Sequence, residues 1–518
     1  MRPDVGEANV RQTPEVIMIK VQFVSVVPTH LPTHYLAFRQ LHGYALSQGL
    51  KDEFVPEYRL VPLDHDVDRL VADILRSDPD LVCFSVHIWN LDHIREFCRR
   101  FIARPSRIRL VLGGPMADFE AESWVRDSGV DAVVRGPGED AFADIIRGFR
   151  NGTLCWSAIP NVVYRAADLT VAATELRDVD VTAMTYDLPV DDGEDEFFLY
   201  ETSRGCVFNC RYCAWSANAR KQLRFFPIAK IERDMTAIFN LRRILHLGFS
   251  DADLFVNKEH GIQVLRLINR LNTIREARGW PIIRLVSEVN PELVDDMVIG
   301  EIAQSPGSYM FSCGLQTIDA RVNREYLNRA FHPDRYLSNL DRLMRAGQGV
   351  NVEIIYGLPG ETLDGFKRTL DYVLSDLNAR RFTAFHFLVI PGSAFREEAA
   401  TYGLEYDPKP PYRLLSSPTW RPEDLAAATE WVMFLYTFMY IYRDVKRIVD
   451  EHSATQRLAL YERIIGRVKF QYPQLFETLF QDYDEPNFEP VYVRHQAAFD
   501  RLRADMTVLA QSVVGESP

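Results

Sequence analysis

Three thiols stand at Cys206, Cys210 and Cys213 in the run "RGCVFNCRYCAW", a C-x3-C-x2-C spacing in a chain with seven cysteines. Thiolates are soft ligands, suited to zinc, Cu(I) or iron–sulfur clusters. Structural zinc normally takes four protein ligands in two separated pairs, and the sequence offers no second C-x2-C and no H-x3-H partner. A four-iron, four-sulfur cluster held by three cysteines leaves one iron open to a small molecule. An electron carrier or a structural metal module would instead want the fourth ligand. Cys83, Cys98, Cys155 and Cys313 are scattered, so no secreted disulfide framework is indicated. Cys313 sits in an apolar run and reads as a small buried strand residue.

Such thiols need a frame to point from. The runs "FFLYETS", "RILHLG", "IIRLVSE", "YMFSCGL", "NVEIIYG" and "AFHFLVI" alternate with helical patterns across 197–420. They predict a partial (β/α)6 barrel of TIM type, with its active site at the C-terminal strand ends. Upstream, "KVQFVSVV", "DLVCFSV", "IRLVLGG" and "DAVVRG" predict a doubly wound, Rossmann-like parallel sheet over 17–150. Its strand ends carry "PTHLPTH", "HIWN", "GGPMADFE" and "GPGED", four turns on one rim where such sheets bind ligands. Residues 1–16 are expected to be flexible. Residues 151–196, ending in "DLPVDDGEDE", read as a linker, and 421–518 as a helical C-terminal domain whose aromatic stripe belongs to a core.

The net charge of −13 over 518 residues argues against a broad nucleic-acid or anionic-membrane surface. The N-terminus lacks an apolar signal region, and the window Trp431–Tyr442 falls short of the roughly 18 apolar residues needed to span a bilayer. A cytoplasmic protein acting on a small molecule, with neither nucleic acid nor membrane as partner, is the expectation.

The stretch "YETSRGCVFNCRYCAW" strongly resembles the cluster loop of radical S-adenosylmethionine (SAM) enzymes. The resemblance implies that the three cysteines hold a [4Fe-4S] cluster whose open iron binds SAM, and that SAM is cleaved reductively. It also implies a reducing partner such as flavodoxin or ferredoxin. Tyr212 matches the aromatic residue that packs near the adenine. "LGFSDADLFVN" is similar to the second-strand segment, which makes Ser250, Asp251 and Asp253 candidates for contact with the cofactor. By the same likeness Glu288 in "SEVNPELVDD" contacts the methionine or ribose part. Gln316 in "GLQTIDARVNREYLNR" lies at a strand end, and Arg329 meets the methionine carboxylate. The Gly-Leu-Pro-Gly turn of "IYGLPGET" lies under the adenine.

The region before the barrel resembles the cobalamin-binding subclass of that superfamily, which also shares "VIPGSAFREEA" and "YDPKPPYRLLSSPTW". The likeness implies a cobalamin site using Trp89 as a flat surface and Gly113, Gly114, Gly136, Gly138 and Glu139 on the rim. The D-x-H-x-x-G motif that supplies an axial histidine elsewhere is absent, and His93 beside Asp92 is not assigned to cobalt. Methionine follows "GGP" where glutamate is frequent, so an occupied domain and an empty relic both stand. The resemblance implies a methyltransferase acting on a small-molecule or natural-product intermediate, with a non-methylating rearrangement or cyclisation as the alternative.

Overall fold

The computed structural model describes residues 18–28, 35–104, 106–190, 196–215, 222–305, 307–475, 477 and 489–516. The N-terminus expected to be flexible, "PTHLPTH" beyond Pro28, and residues 191–195 of the acidic stretch lie outside the described residues. The chain divides into two compact units, Met1–Val179 and Asp180–Pro518.

In the first unit, β1 (Ile19–Val27), β2 (Phe54–Pro62), β3 (Leu81–Ser85), β4 (Arg109–Gly113) and β5 (Ala132–Val134) alternate with helices. These helices are α1 (Leu36–Ser47), α2 (Val67–Ser77), α3 (Leu91–Ile102), α4 (Pro115–Phe119), α5 (Ala121–Asp127) and α6 (Glu139–Arg150). Two further strands, β6 (Val162–Arg165) and β7 (Val171–Ala173), complete a sheet of order β2-β1-β3-β4-β5-β6-β7. The first five strands are parallel, and β6 and β7 are antiparallel. One face packs Leu70, Ile74, Ile94, Phe97 and Trp124, and the other packs Phe38, Phe142 and Ile145. Strands covered on both faces must be apolar throughout, which is why β1 and β3 are plain in the sequence.

Two differences from expectation have one cause. β2 was not foreseen, and the segment expected as a linker supplies β6 and β7. All three lie towards the sheet's margins, where partial exposure admits Pro56, Glu57, Arg59 and Arg165 and erases the apolar run. Beyond Val179, the same segment is held to the second unit. The Leu188 N–H donates to Asp234 Oδ1 at 2.8 Å, and buried Lys230 donates to the Tyr186 carbonyl at 2.9 Å.

The second unit is built on β8 (Phe197–Tyr200), β11 (His246–Phe249), β12 (Arg284–Glu288), β13 (Tyr309–Gln316), β14 (Gly349–Tyr356) and β15 (Phe382–His386). These strands are parallel and adjacent in that order, matching the six strands expected. A short antiparallel pair, β9 (Ser203–Gly205) and β10 (Leu223–Phe225), follows β8. β8 and β15 do not pair, so among the described residues the barrel is open. Helices Ile228–Phe239, Lys258–Ala277, Asp296–Ile302, Pro333–Arg345 and Leu363–Asp371 connect the strands. Arg275 illustrates their fixation: its guanidinium donates to the carbonyls of Phe239, Leu241, Arg242, Ile244 and Pro281 and so caps the end of the preceding helix.

From Pro422 the described chain is helical, as expected. The aromatic stripe is core and covers the last barrel strand. Tyr436 Oη accepts the Ala384 N–H at 2.6 Å, and Tyr440 Oη donates to the Phe382 carbonyl at 3.0 Å. Both bonds satisfy edge groups of β15 that would otherwise be bare. No described helix is long and apolar enough to cross a membrane.

Candidate functional site

The cysteine run leaves β9 where backbone space is least. Gly205 has φ +109, and a Cβ there would lie 1.6 Å from the Gln222 carbonyl oxygen, so the residue before Cys206 can only be glycine. Buried Asp251 fixes the preceding turn. It accepts from the Thr202 N–H (2.9 Å), the Thr202 hydroxyl (2.6 Å) and the Ser203 hydroxyl (2.6 Å). His260 Nε2 lies 3.2 Å from the same Thr202 hydroxyl. The far side of the loop is tied by the Arg211 N–H to the Leu327 carbonyl (3.1 Å), the Asn328 amide to the Asn209 carbonyl (3.1 Å) and the Phe395 N–H to the Arg211 carbonyl (3.2 Å). The Arg211 guanidinium pairs with Glu398 and lies over the Tyr402 and Phe395 rings.

Cys206 is buried, while Cys210 and Cys213 are half-buried. Burial pushes the Cys206 thiol up to about 11, and Cys210 and Cys213 add to the rise. Among the described residues no three His, Cys, Asp or Glu side chains gather as a single-ion site. Three thiols on one braced loop suit a polynuclear cluster held by three cysteines. Cys313 is fully buried, on the opposite face of β13 from Ser312, and cannot serve as a fourth ligand from there.

The strand register builds a polar belt on the inner face of the barrel. Glu288 stands opposite Ser312, Ser312 opposite Asn351, and Gly314 and Thr383 flank Glu353. The Asn351 amide donates to Thr383 Oγ1 at 3.1 Å and Ser312 donates to Glu353. Burial raises the Glu288 carboxyl well above its usual range, with the charges of Glu353 and Asp253 adding to it, and burial raises Glu353 as well. Glu288 and Glu353 crowd two carboxyl groups together on this belt, and like charges so placed favour a cationic ligand. Glu353, Ser312, Asn351 and Thr383 escaped the sequence reading. The signal was there in "NVEIIYG", where polar Asn351 and Glu353 alternate with buried apolar residues.

Gln316 has φ +65 at a β-bulge between Gly314 and Gln316. A non-glycine residue in that region is strained, and such strain gathers at working sites. Its amide lies so near Gly314 that a Cβ there would be 2.6 Å from Nε2. Arg329 donates to the carbonyls of Leu315, at 2.7 Å, and Gly314, bracing the bulge. Tyr212 lies beside Cys210 as a hydrogen-bond partner, and burial raises its phenol. Ser250 donates from its N–H to the Tyr200 carbonyl at 2.9 Å. Asp253 accepts the N–H groups of Phe255 (2.8 Å) and Asn290 (2.6 Å), and burial pushes it up to about 7. Asp251 is thus a clamp on the cluster loop, while Glu288, Gln316 and Arg329 cluster with Glu353 around the β12–β14 ends.

The Gly-Leu-Pro-Gly turn is held from two sides. Trp420 Nε1 donates to the Leu358 carbonyl at 3.0 Å, Arg321 donates to the Gly360 carbonyl at 2.6 Å, and the Tyr326 ring leaves no room for a Cβ on Gly360. Glu361 accepts from Thr317, the residue after Gln316, and so joins the two strand-end loops.

In the first unit the strand order reverses between β1 and β3, and ligands of such sheets bind at that reversal. Asn90 spans it, donating to the carbonyls of Val26 (2.9 Å) and Ser85 (3.0 Å) while accepting the His87 N–H (2.8 Å). Trp89 stacks on His87 with 37 % of its surface open. Gly114, at φ +94, backs onto Val86, where a Cβ would lie 2.7 Å from the carbonyl oxygen. Gly113 ends β4, and Gly136 and Gly138 lead into α6, whose first residue is buried Glu139. The Gly136 N–H donates to Asp118 at 3.0 Å. His93 lies in the first turn of α3, its ring tied to the backbone of Leu63.

Comparison with known proteins agrees with both units. Residues 200–373 match the Radical SAM superfamily, and residues 26–146 match the B12 binding domain. A 2-(S-pantetheinyl)-carbapenam-3-carboxylate methyltransferase of Streptantibioticus cattleyicolor is 25% identical over 397 residues, covering 71% of this chain and 55% of the relative. The cobalamin-dependent radical SAM methyltransferase TokK of Streptomyces tokunonensis is 23% identical, covering 73% and 56%. The chain therefore spans just over half the length of these relatives. The cobalamin-dependent S-adenosylmethionine radical enzyme OxsB shares the fold with a TM-score of 0.63 at 12% identity, covering 95% of this chain and 76% of that one.

Proposed function

We propose that this chain, which joins a B12 binding domain to a radical SAM domain, is a cobalamin-dependent radical SAM methyltransferase acting on a small-molecule, natural-product intermediate. The observation that carries the reading is the braced three-cysteine loop that follows the first strand of an open parallel barrel, in a chain whose first unit is a mainly parallel sheet with a built crevice at its β1/β3 reversal. When bound, the cluster and SAM supply a radical and cobalamin supplies a transferable methyl group.

The chain's own residues hold and shield. Cys206, Cys210 and Cys213 hold the cluster and leave one corner for SAM. Glu288 and Glu353 face the sulfonium-bearing methionine and ribose part of SAM, Gln316 adds a polar contact from a strained backbone, and Arg329 keeps that bulge in place. Tyr212 and the Gly-Leu-Pro-Gly turn flank the adenine. The first unit holds the corrin on the rim of Trp89, Gly113, Gly114, Gly136, Gly138 and Glu139. The cluster, when bound, would take its electron from a one-electron protein donor of flavodoxin or ferredoxin type.

Two names among the relatives support this choice of reaction. The carbapenam relative and TokK are both called methyltransferases. Anaerobic reconstitution with iron, sulfide, hydroxocobalamin, SAM and reductant, followed by mass spectrometry, tests it. Both 5′-deoxyadenosine and S-adenosylhomocysteine are expected. Formation of 5′-deoxyadenosine alone would replace methyl transfer by a non-methylating rearrangement. Exchanging all three cysteines for alanine should abolish iron content and 5′-deoxyadenosine together, and retained iron would sink the cluster assignment.

A further inference from the structure

The HIWN turn places an imidazole at the crevice, stacked on an indole. Here the His87 and Trp89 rings lie face to face, their centroids 4.4 Å apart and their planes 3° from parallel. His87 Nε2 is 2.9 Å from Ser85 Oγ, and the His87 backbone N–H is held by Asn90 at 2.8 Å. Ser85 is itself hemmed in, since a Cβ on Gly114 would lie 3.2 Å from its hydroxyl. The Met116 N–H also donates to the Val86 carbonyl at 3.2 Å, so the start of α4 closes the turn from behind.

We propose that His87 is the positioning residue for Trp89, a wedge between Ser85 and the indole that sets the flat floor of the β1/β3 crevice. The inference rests on the cobalamin reading for its ligand, whereas the His87–Trp89 pair stands on geometry alone. A flat aromatic surface held rigidly suits a planar macrocycle, because stacking rewards a ring already oriented.

The test uses the full chain with His87→Ala and His87→Phe, each measured against its own Trp89→Phe counterpart so that the near-ultraviolet circular dichroism difference isolates one indole. Phenylalanine keeps a stacking ring and removes both nitrogens. The H87F protein should keep the Trp89 band and retain hydroxocobalamin within about threefold of the parent. The H87A protein should lose the band and bind roughly tenfold more weakly. An H87A protein with an unchanged band would overturn the proposal, as would an H87F protein that loses it. If the parent takes up no cobalamin, the cobalamin reading falls, and the dichroism comparison still decides whether His87 positions Trp89.

Discussion

At the scale of single residues, burial sets the chemistry of this protein more than any ion pair does. Glu361 is buried, accepts from Thr317, and has a second oxygen with no hydrogen-bond partner, and burial pushes its carboxyl up to about 8. Its folded pKa therefore lies above its unfolded one, so the folded state holds the proton more tightly. Stability should fall as pH rises from roughly 4.5 to roughly 8, by at most about 1.4 kcal/mol for each pH unit crossed. Glu361→Gln cannot ionise, and urea unfolding across that range should show a flatter pH profile with greater stability near pH 8. Glu353 is different, since its position in the belt suits a charged ligand. Glu353→Gln keeps the neighbours Ser312 and Asn351 supplied but removes the charge, so SAM affinity should fall about tenfold. Iron content should stay level by ferrozine assay; iron loss would make the residue part of the cluster's support instead.

At the scale of elements, the loop depends on how closely two backbones can approach. Gly205→Ala would drive a methyl group into the Gln222 carbonyl at an already unfavourable φ, parting β9 from β10. Most of the bound iron should be lost, with a melting temperature several degrees lower. Gly279, at φ +69 with nothing within 4 Å, is the control: Gly279→Ala should cost about 1 kcal/mol and leave iron untouched. The same distinction explains what the sequence revealed. The inner strands of the first sheet were legible because strands covered on both faces must be apolar in an unbroken run, and the six barrel strands because apolar residues recur along them between helical patterns. β2, β6 and β7 were hidden because partial exposure lets charged residues and proline enter. In the site, the cysteine loop declared itself by spacing, whereas Gln316 and Arg329 entered only through the resemblance. Glu353 and Asn351 did not, since a polar residue facing a barrel interior looks the same in sequence as one facing water. Asp251 read as a ligand candidate because its acidity was visible, while its partners Thr202 and Ser203 come from another strand and were not.

At the scale of the whole molecule, the chain divides into two compact units, and a change inside one tests whether the other depends on it. Gly114→Val would press into Val86 and disturb the turn that carries His87 and Trp89. Corrin uptake should drop severalfold by absorbance while iron content holds, and parallel loss of both would mean that the units fold as one. The second unit has a timing problem of its own. β15 is made early, yet the hydroxyls that cover its edge belong to Tyr436 and Tyr440. A ribosome adds about 5–20 residues per second, so the strand waits roughly 3–10 s for its cover. During translation that bare strand is the place where a nascent chain would pair with its neighbour on the same messenger, and slowed synthesis between His386 and Tyr436 would lengthen the exposure. Yield of undamaged protein should thus respond to codon choice in that interval more than in any earlier one.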